Sequence, residues 1–164
     1  MRIIEATTKE QFGAIEALAR RIIPDFYATY FDVAAAEWMV DNGHTAAVLE
    51  AQARKGYRHY LLQLKAVVVG YFALHTEGRV MKLSHFYVLE EYRGMGFGQL
   101  AMDFIQHEAE TARVRHLELL VLRRNKATVG FYRKNGFFPV AEVLTRLGNG
   151  AVLEDYLMRK EIEK

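Results

Sequence analysis

From Tyr57 to Val88, three runs of branched and aromatic residues follow one another: His59 to Leu64, Ala66 to Leu74 and Val80 to Val88. Only Lys65 separates the first two, and the turn Thr76-Glu77-Gly78 lies between the second and third. Parallel neighbours would need a crossover of about a dozen residues or more, so runs this close read as an antiparallel meander. A wholly parallel, doubly wound sheet is excluded. The first break has unusual chemistry, because Lys65 stands where Asn-Gly or Asp-Gly is the common signal.

The 55 residues before the meander read as a short strand and three helices. Thr7 and Glu10 have capping-box spacing. Phe12, Ile15, Leu18 and Ile22 recur at helical spacing, and Pro24 is expected to end that helix. Val33 to Val40 predicts a second helix stopped by Asn42-Gly43, and Thr45 to Lys55 a third stopped by Gly56. After the meander, a glycine-rich turn leads into a helix reaching about Arg113, with Phe97, Leu100, Phe104 and Ile105 on one side. His116 to Leu122 predicts a strand, and Asn125 to Asn135 a helix closed by Gly136. Two strands, Phe137 to Arg146 and Ala151 to Arg159, flank the turn Leu147-Gly148-Asn149-Gly150. The order β-ααα-βββ-α-β-α-ββ is α/β: one mixed, mostly antiparallel sheet with helices on both faces.

Composition bounds the partners. The 164 residues suit one domain, expected over 1–164, with 51% apolar and 26% charged residues. Lys and Arg number 22 against 20 Asp and Glu, a net charge of +2, which predicts no general nucleic-acid coat. The absence of Cys removes disulfides and thiol intermediates and fits a reducing cytoplasm, the expected location. The longest apolar run, Ala66 to Leu74, falls far short of the roughly 20 residues a spanning helix needs, so no membrane is expected. His44, His59, His75, His107 and His116 lack ligand spacing, and no metal site is expected.

Gly94, Gly96 and Gly98 let a strand turn sharply into a helix while several N–H groups point to one spot. Such a nest binds phosphate through open donors and the positive end of the helix dipole, and Arg93 adds a charged donor. The plain alternative is a tight loop needing small residues. Gly96-Phe97-Gly98-Gln99-Leu100-Ala101 also fits the dinucleotide pattern G-x-G-x-x-A. That pattern requires a βαβ unit with an acidic residue ending the next strand, whereas Glu118 lies inside its strand and a meander precedes.

Asn125 and Tyr132 are seven residues apart, almost two helical turns, and so share a stripe. An amide and a phenol there could line a groove. The alternative is that Asn125 is an N-cap and Tyr132 a core aromatic.

Together these segments resemble the GNAT superfamily of N-acetyltransferases. Arg93, Gly96 and Gly98 match its Q/R-x-x-G-x-G/A element, and Asn125, Phe131, Tyr132, Lys134, Gly136 and Phe137 match N-x-x-A-x-x-F-Y-x-K-x-G-F, with Ala127 one place ahead of the pattern's alanine, where this chain has Thr128. The resemblance runs from about Tyr57 onward. It implies an acetyl-CoA-binding core over 57–164 and variable, substrate-facing helices over 1–56. It also implies acetyl-CoA as co-substrate, with Phe86, Tyr87 and Val88 pairing with pantetheine. Arg93, Gly94, Met95, Gly96, Phe97, Gly98 and Gln99 would lie at the pyrophosphate, while Asn125 and Lys134 carry over from the later motif. The ending from Gly148-Asn149-Gly150 to Asp155-Tyr156-Leu157-Met158 is similar to PaiA-like members, which implies a polyamine acceptor such as spermidine or spermine. In that branch a lysine is expected where this chain has His85. The other acceptors considered are a peptide N-terminus, a lysine or an amino-sugar antibiotic. From a different class comes a non-catalytic CoA-binding sensor. A homodimer is one option for assembly.

Acetyl transfer to an amine needs a neutral nucleophile, a polarised carbonyl and a protonated leaving thiol. An alkyl amine of pKa about 10.4 is neutral in only about one molecule in 2,500 at pH 7. Tyr132 is the expected acid, hydrogen-bonding to the departing sulfur. Full donation from a phenol of pKa about 10 to a thiol of about 8.5 is uphill by about 2 kcal/mol. His85 and Glu118 are the candidate bases. Arg123-Arg124, Lys126 and Arg133 are further candidates for a phosphate, and Asp25, Asp32, Glu37 and Asp41 for a polycation.

Overall fold

The computed structural model describes residues 1–162, so the last two residues of the expected domain lie outside the described residues. The elements are β1 (Arg2–Glu5), α1 (Lys9–Tyr27), α2 (Val33–Gly43), α3 (Ala46–Arg54), β2 (Arg58–Leu64), β3 (Val67–Glu77) and β4 (Val80–Val88). A 3₁₀ turn (Glu90–Tyr92) follows, then α4 (Phe97–Thr111), β5 (His116–Leu122), α5 (Lys126–Lys134), β6 (Phe138–Arg146) and β7 (Val152–Glu161). The expected order holds throughout. The strands form a mixed sheet ordered β1-β2-β3-β4-β5-β7-β6. The chain divides into two compact units, one of residues 1–74 with 85–101, the other of 75–84 with 102 onward.

In the first unit, α1 starts one residue later than its expected cap. Thr8 is the N-cap and Gln11 completes the box: Gln11 Oε1 accepts from the N–H groups of Thr7 (2.7 Å) and Thr8 (3.0 Å). A neutral amide thus does what Glu10 was expected to do. Pro24 does not end the helix either, for α1 continues to Tyr27. The proline removes one N–H, but Ile22, Ile23 and Tyr27 around it are buried, at about 1.5–3 kcal/mol for each large apolar side chain. Similarly, α2 runs through Asn42-Gly43, with Asn42 Nδ2 donating to the Trp38 carbonyl at 2.9 Å, and stops at His44. Glu16 on α1 accepts from Ala46 N at 2.7 Å, supporting the start of α3 beside its own cap, Thr45.

β2 pairs antiparallel with β1 and β3, and a bulge interrupts the second ladder between Leu62 and Gln63. At Gly70, opposite Leu62, a Cβ would stand 2.5 Å from the Tyr87 carbonyl oxygen, so no larger residue fits. Lys65 makes its turn with a φ of 54°, a left-handed conformation that costs a non-glycine residue about 1–2 kcal/mol.

In the second unit, Val80–Lys82 run parallel to His116–Glu118. β5 pairs antiparallel with β7, and β7 with β6, which bulges between Pro139 and Ala141. Proline cannot donate to a ladder, which suits the outermost strand. α4, divided between the units, buries Phe97, Ala101, Ile105 and Ala109. The expected Leu100 and Phe104 are only half-buried. Phe97, Ala101, Ile105 and Ala109, each four residues from the next, form the buried stripe. Among the described residues no helix is long and apolar enough to cross a membrane.

Candidate functional site

The loop after β4 belongs wholly to the first unit. Gly94 and Gly96 have φ of 76° and 88°, and a Cβ on either would meet nothing within 4 Å. Backbone conformation, not crowding, demands glycine there, and the space beside it is clear. α4 begins at Phe97, whose buried ring anchors the turn. Leu100 N donates to the Gly96 carbonyl at 3.0 Å. The N–H groups of Phe97 and Gly98 precede that first bond and have no carbonyl within the helix to receive them. Arg93 Nε donates to the Val88 carbonyl at 3.1 Å, and its guanidinium lies over the Phe26 ring, 5.9 Å from the centroid. Arg21 on α1 pairs with Glu91 in the 3₁₀ turn. Exposed Arg93, Gly94, Met95 and Gly96 with a helix N-terminus form a geometry that suits an anion.

His85, Phe86, Tyr87 and Val88, half-buried, lead into that loop. His85 has a φ of 56°, a left-handed residue within a strand. Its ring centroid is 4.2 Å from that of His44, at an interplanar angle of 70°. Burial lowers the His85 pKa to about 4, with a smaller contribution from His59. Burial lowers His44 to about 2, with smaller contributions from His85 and His59. Both imidazoles are therefore neutral at pH 7. His44 Nδ1 is 3.1 Å from the Tyr71 hydroxyl, and the hydroxyls of Tyr27 and Tyr87 are 2.8 Å apart. Phe86 lies on the side of Phe72, with ring centroids 5.9 Å apart.

In the second unit, Asn125 is the N-cap of α5, its side chain accepting from Thr128 N at 3.2 Å. The capping alternative is what the structure shows for this amide. Tyr132 is 6% exposed and sits edge-on to Phe131 and Phe137, with centroids 5.4 and 5.6 Å away. Lys134 is exposed in the last turn. Glu118 is buried, and its Oε2 accepts from Arg159 Nε at 2.8 Å and lies 2.6 Å from Nη2. Directly opposed on β5 and β7, the two residues occupy each other.

The other charged candidates are also partly committed. Arg123 pairs with Glu142 and Glu154, Asp32 caps α2, and Asp41 pairs with Arg20. A groove of about 330 Å³ is lined by Arg20, Pro24, Glu37, Val40 and Asp41. Among the described residues no group of three His, Asp or Glu could hold a metal ion. His44, Tyr71 and Phe26 were not legible as site neighbours, for they lie on separate elements and carry no common spacing.

A family model described as "Acetyltransferase (GNAT) family" matches residues 15–137. Among solved structures, the PaiA N-acetyltransferase from Thermoplasma acidophilum in complex with coenzyme A aligns at TM-score 0.78 and 18% identity. That alignment covers 98% of this chain and 99% of the other. The ribosomal-protein-S18-alanine N-acetyltransferase from Escherichia coli aligns at 0.75 and 17%, covering 99% and 94%. The putative acetyltransferase yncA from Salmonella typhimurium, with acetyl-CoA, aligns at 0.69 and 19%, covering 100% and 95%. At these identities the likeness is one of fold.

Proposed function

Since the chain belongs to the acetyltransferase (GNAT) family, we propose that it moves the acetyl group of acetyl-CoA onto a primary amine of a small polyamine such as spermidine or spermine. Transfer is direct, with both substrates bound and no acetylated residue between them. The observation that carries the acetyl-CoA half is the loop at Gly96: left-handed, open to approach and immediately ahead of a helix N-terminus. The acceptor rests on the ending Gly148-Asn149-Gly150 to Met158, similar to PaiA-like members. The fold shared with the PaiA enzyme is consistent with it.

Bound acetyl-CoA supplies a thioester, an acetyl carbon already activated for attack. The chain's residues bind, polarise and handle protons. The nest from Arg93 to Gln99 holds the pyrophosphate, while Lys134 meets the nucleotide end and Asn125 starts the helix bearing Tyr132. Backbone N–H groups from Phe86 to Val88 pair with pantetheine and polarise the thioester carbonyl. Tyr132 donates a hydrogen bond to the departing sulfur.

His85 receives the proton. An imidazole of pKa about 4 is too weak to strip an alkylammonium, so the amine reacts as its neutral form. His85 then takes the N–H proton that becomes acidic once nitrogen shares its lone pair with the acetyl carbon. Glu118, engaged by Arg159, serves the framework instead. The proposal places the reaction in the cytoplasm, in one 1–164 domain whose first 56 residues face the acceptor.

The alternative acceptor is a peptide N-terminus, favoured by the shared fold with the S18-alanine enzyme. Free-thiol release from acetyl-CoA decides, measured with purified protein against spermidine, spermine, an alanyl peptide, a lysyl peptide and an aminoglycoside. Turnover of the alanyl peptide but not spermidine selects the second reading. CoA binding without turnover of any amine selects a sensor.

A further inference from the structure

Tyr27, His44, Tyr71, His85 and Tyr87 come from α1, β3, β4 and the end of α2, yet they meet within the first unit. His44 is 3% exposed and Tyr71 1%. Buried polar groups need partners, and the 3.1 Å contact between His44 Nδ1 and the Tyr71 hydroxyl satisfies one on each side. A hydroxyl can donate or accept, so the bond holds the His44 ring in place whichever of the two atoms carries the shared hydrogen. The Tyr71 and Tyr87 rings lie 5.7 Å apart and those of His44 and Tyr87 6.1 Å, closing the cluster around His44.

His85 meets this cluster in a backbone conformation that persists only where its surroundings over-determine it. Its ring contact to His44 is such a constraint. His44 itself sits at the C-terminal cap of α2, its backbone N–H donating to Val40. The titratable groups around the pair are His59 from β2, Tyr71 from β3, Tyr87 from β4 and Tyr27 from α1.

We propose, building on the reading of His85 as proton acceptor, that His44 is its positioning residue: Tyr71 locks the His44 ring, and that ring orients the His85 imidazole toward the reacting nitrogen. In the step served, the amine nitrogen bonds to the acetyl carbon and the carbon–sulfur bond breaks with its electron pair on sulfur. The nitrogen's proton passes to the unprotonated ring nitrogen of His85. His44 neither gains nor loses a proton. It fixes direction, and misplacing a reacting group by about 1 Å can cost on the order of 10²-fold in rate.

The test is a double-variant cycle in the full chain, with His44→Gln, His85→Gln and both together. It reads thiol release from acetyl-CoA with spermidine and with an alanyl peptide, and acetyl-CoA affinity by calorimetry. His44→Gln should lower kcat about tenfold or more and leave acetyl-CoA affinity within about twofold. The double variant should be no slower than His85→Gln alone, because nothing is left to position. A double variant slowed by the product of the two single effects overturns the proposal. If His44→Gln does not fold, Tyr71→Phe removes the lock and keeps the ring, and it must show the same non-additivity with His85→Gln. A His85→Gln enzyme at full speed overturns the proton-acceptor reading and the positioning role with it, whereas additivity overturns the positioning role alone.

Discussion

Arg93 is clamped between two groups of its own unit: its Nε donates to the Val88 carbonyl at 3.1 Å while its Cζ lies 5.9 Å from the centre of the Phe26 ring. The contact joins α1 to the glycine loop and restrains a long side chain beside the nest. A cation–π contact at an exposed site contributes about 0.5–1 kcal/mol. Phe26→Leu should therefore weaken CoA binding by about two- to fivefold, and Arg93→Met by more. Calorimetry with CoA checks both, and an unchanged affinity in Arg93→Met removes the arginine from the site.

Gly96 separates binding from folding. A Cβ there meets nothing within 4 Å, so Gly96→Val costs stability only through its φ of 88°. That strain is about 1–2 kcal/mol, which leaves the protein folded. The valine side chain would fill the approach to the helix N-terminus, and CoA binding should be lost. CoA should raise the Tm of the wild type and leave that of Gly96→Val unmoved. NAD should move neither. A rise with NAD alone would return the loop to the dinucleotide pattern.

Tyr132→Phe keeps a buried ring between Phe131 and Phe137 and removes one hydroxyl. The rate of transfer should fall by about 10²–10⁴, the usual contribution of a positioned acid, with CoA affinity little changed. A full-speed phenylalanine variant makes Tyr132 a core aromatic. Loss of CoA binding along with rate makes it a cofactor contact.

Element order was readable because its signals are local: periodicity, Asn125 as a cap, Gly136 with a φ of 92° at a helix end. What failed depended on distant neighbours. Pro24 stays inside α1 because the residues around it are buried, and no spacing reports that. Thr8 displaced Thr7 as the cap because Gln11 can accept two N–H groups where Glu10 was expected to act. At the site, the glycine loop was legible from three glycines and an arginine. Glu118 was legible as a candidate base, but its ion pair was not, since Arg159 lies 41 residues away and arrives only through β7. His44 showed nothing, because its meaning lies in Tyr71 and His85.

The Glu118–Arg159 pair makes a prediction that separates framework from chemistry. Glu118→Gln leaves a guanidinium only one-third exposed without its counter-charge. Stability should fall by about 1–3 kcal/mol, the cost of an unsatisfied polar partner. The rate, measured well below the new Tm, should stay within about threefold of wild type. A 10²-fold slower but equally stable protein would restore Glu118 as the base.

Acid should destabilise the folded chain between pH 6.5 and 4.5, through groups whose pKa values folding moves in opposite directions. Burial lowers His44 to about 2, His59 to about 4 and His85 to about 4, all below the ordinary 6.5. As pH falls through 6.5, the unfolded chain therefore takes up protons that the folded chain refuses. Asp155 works against this, because burial raises it to about 6 and the folded chain holds its proton from there down to the ordinary 3.8. Near pH 5 the imbalance is up to three protons against one, a loss of about 2–3 kcal/mol per pH unit. Urea unfolding across this range measures the slope directly. His59→Gln should make it shallower, since one buried imidazole is gone, and Asp155→Asn should make it steeper while raising stability at pH 7. A wild-type stability that is flat or rises on acidification from 6.5 to 4.5 would mean that these imidazoles are not held neutral, and would take the buried His44–His85 pair down with them.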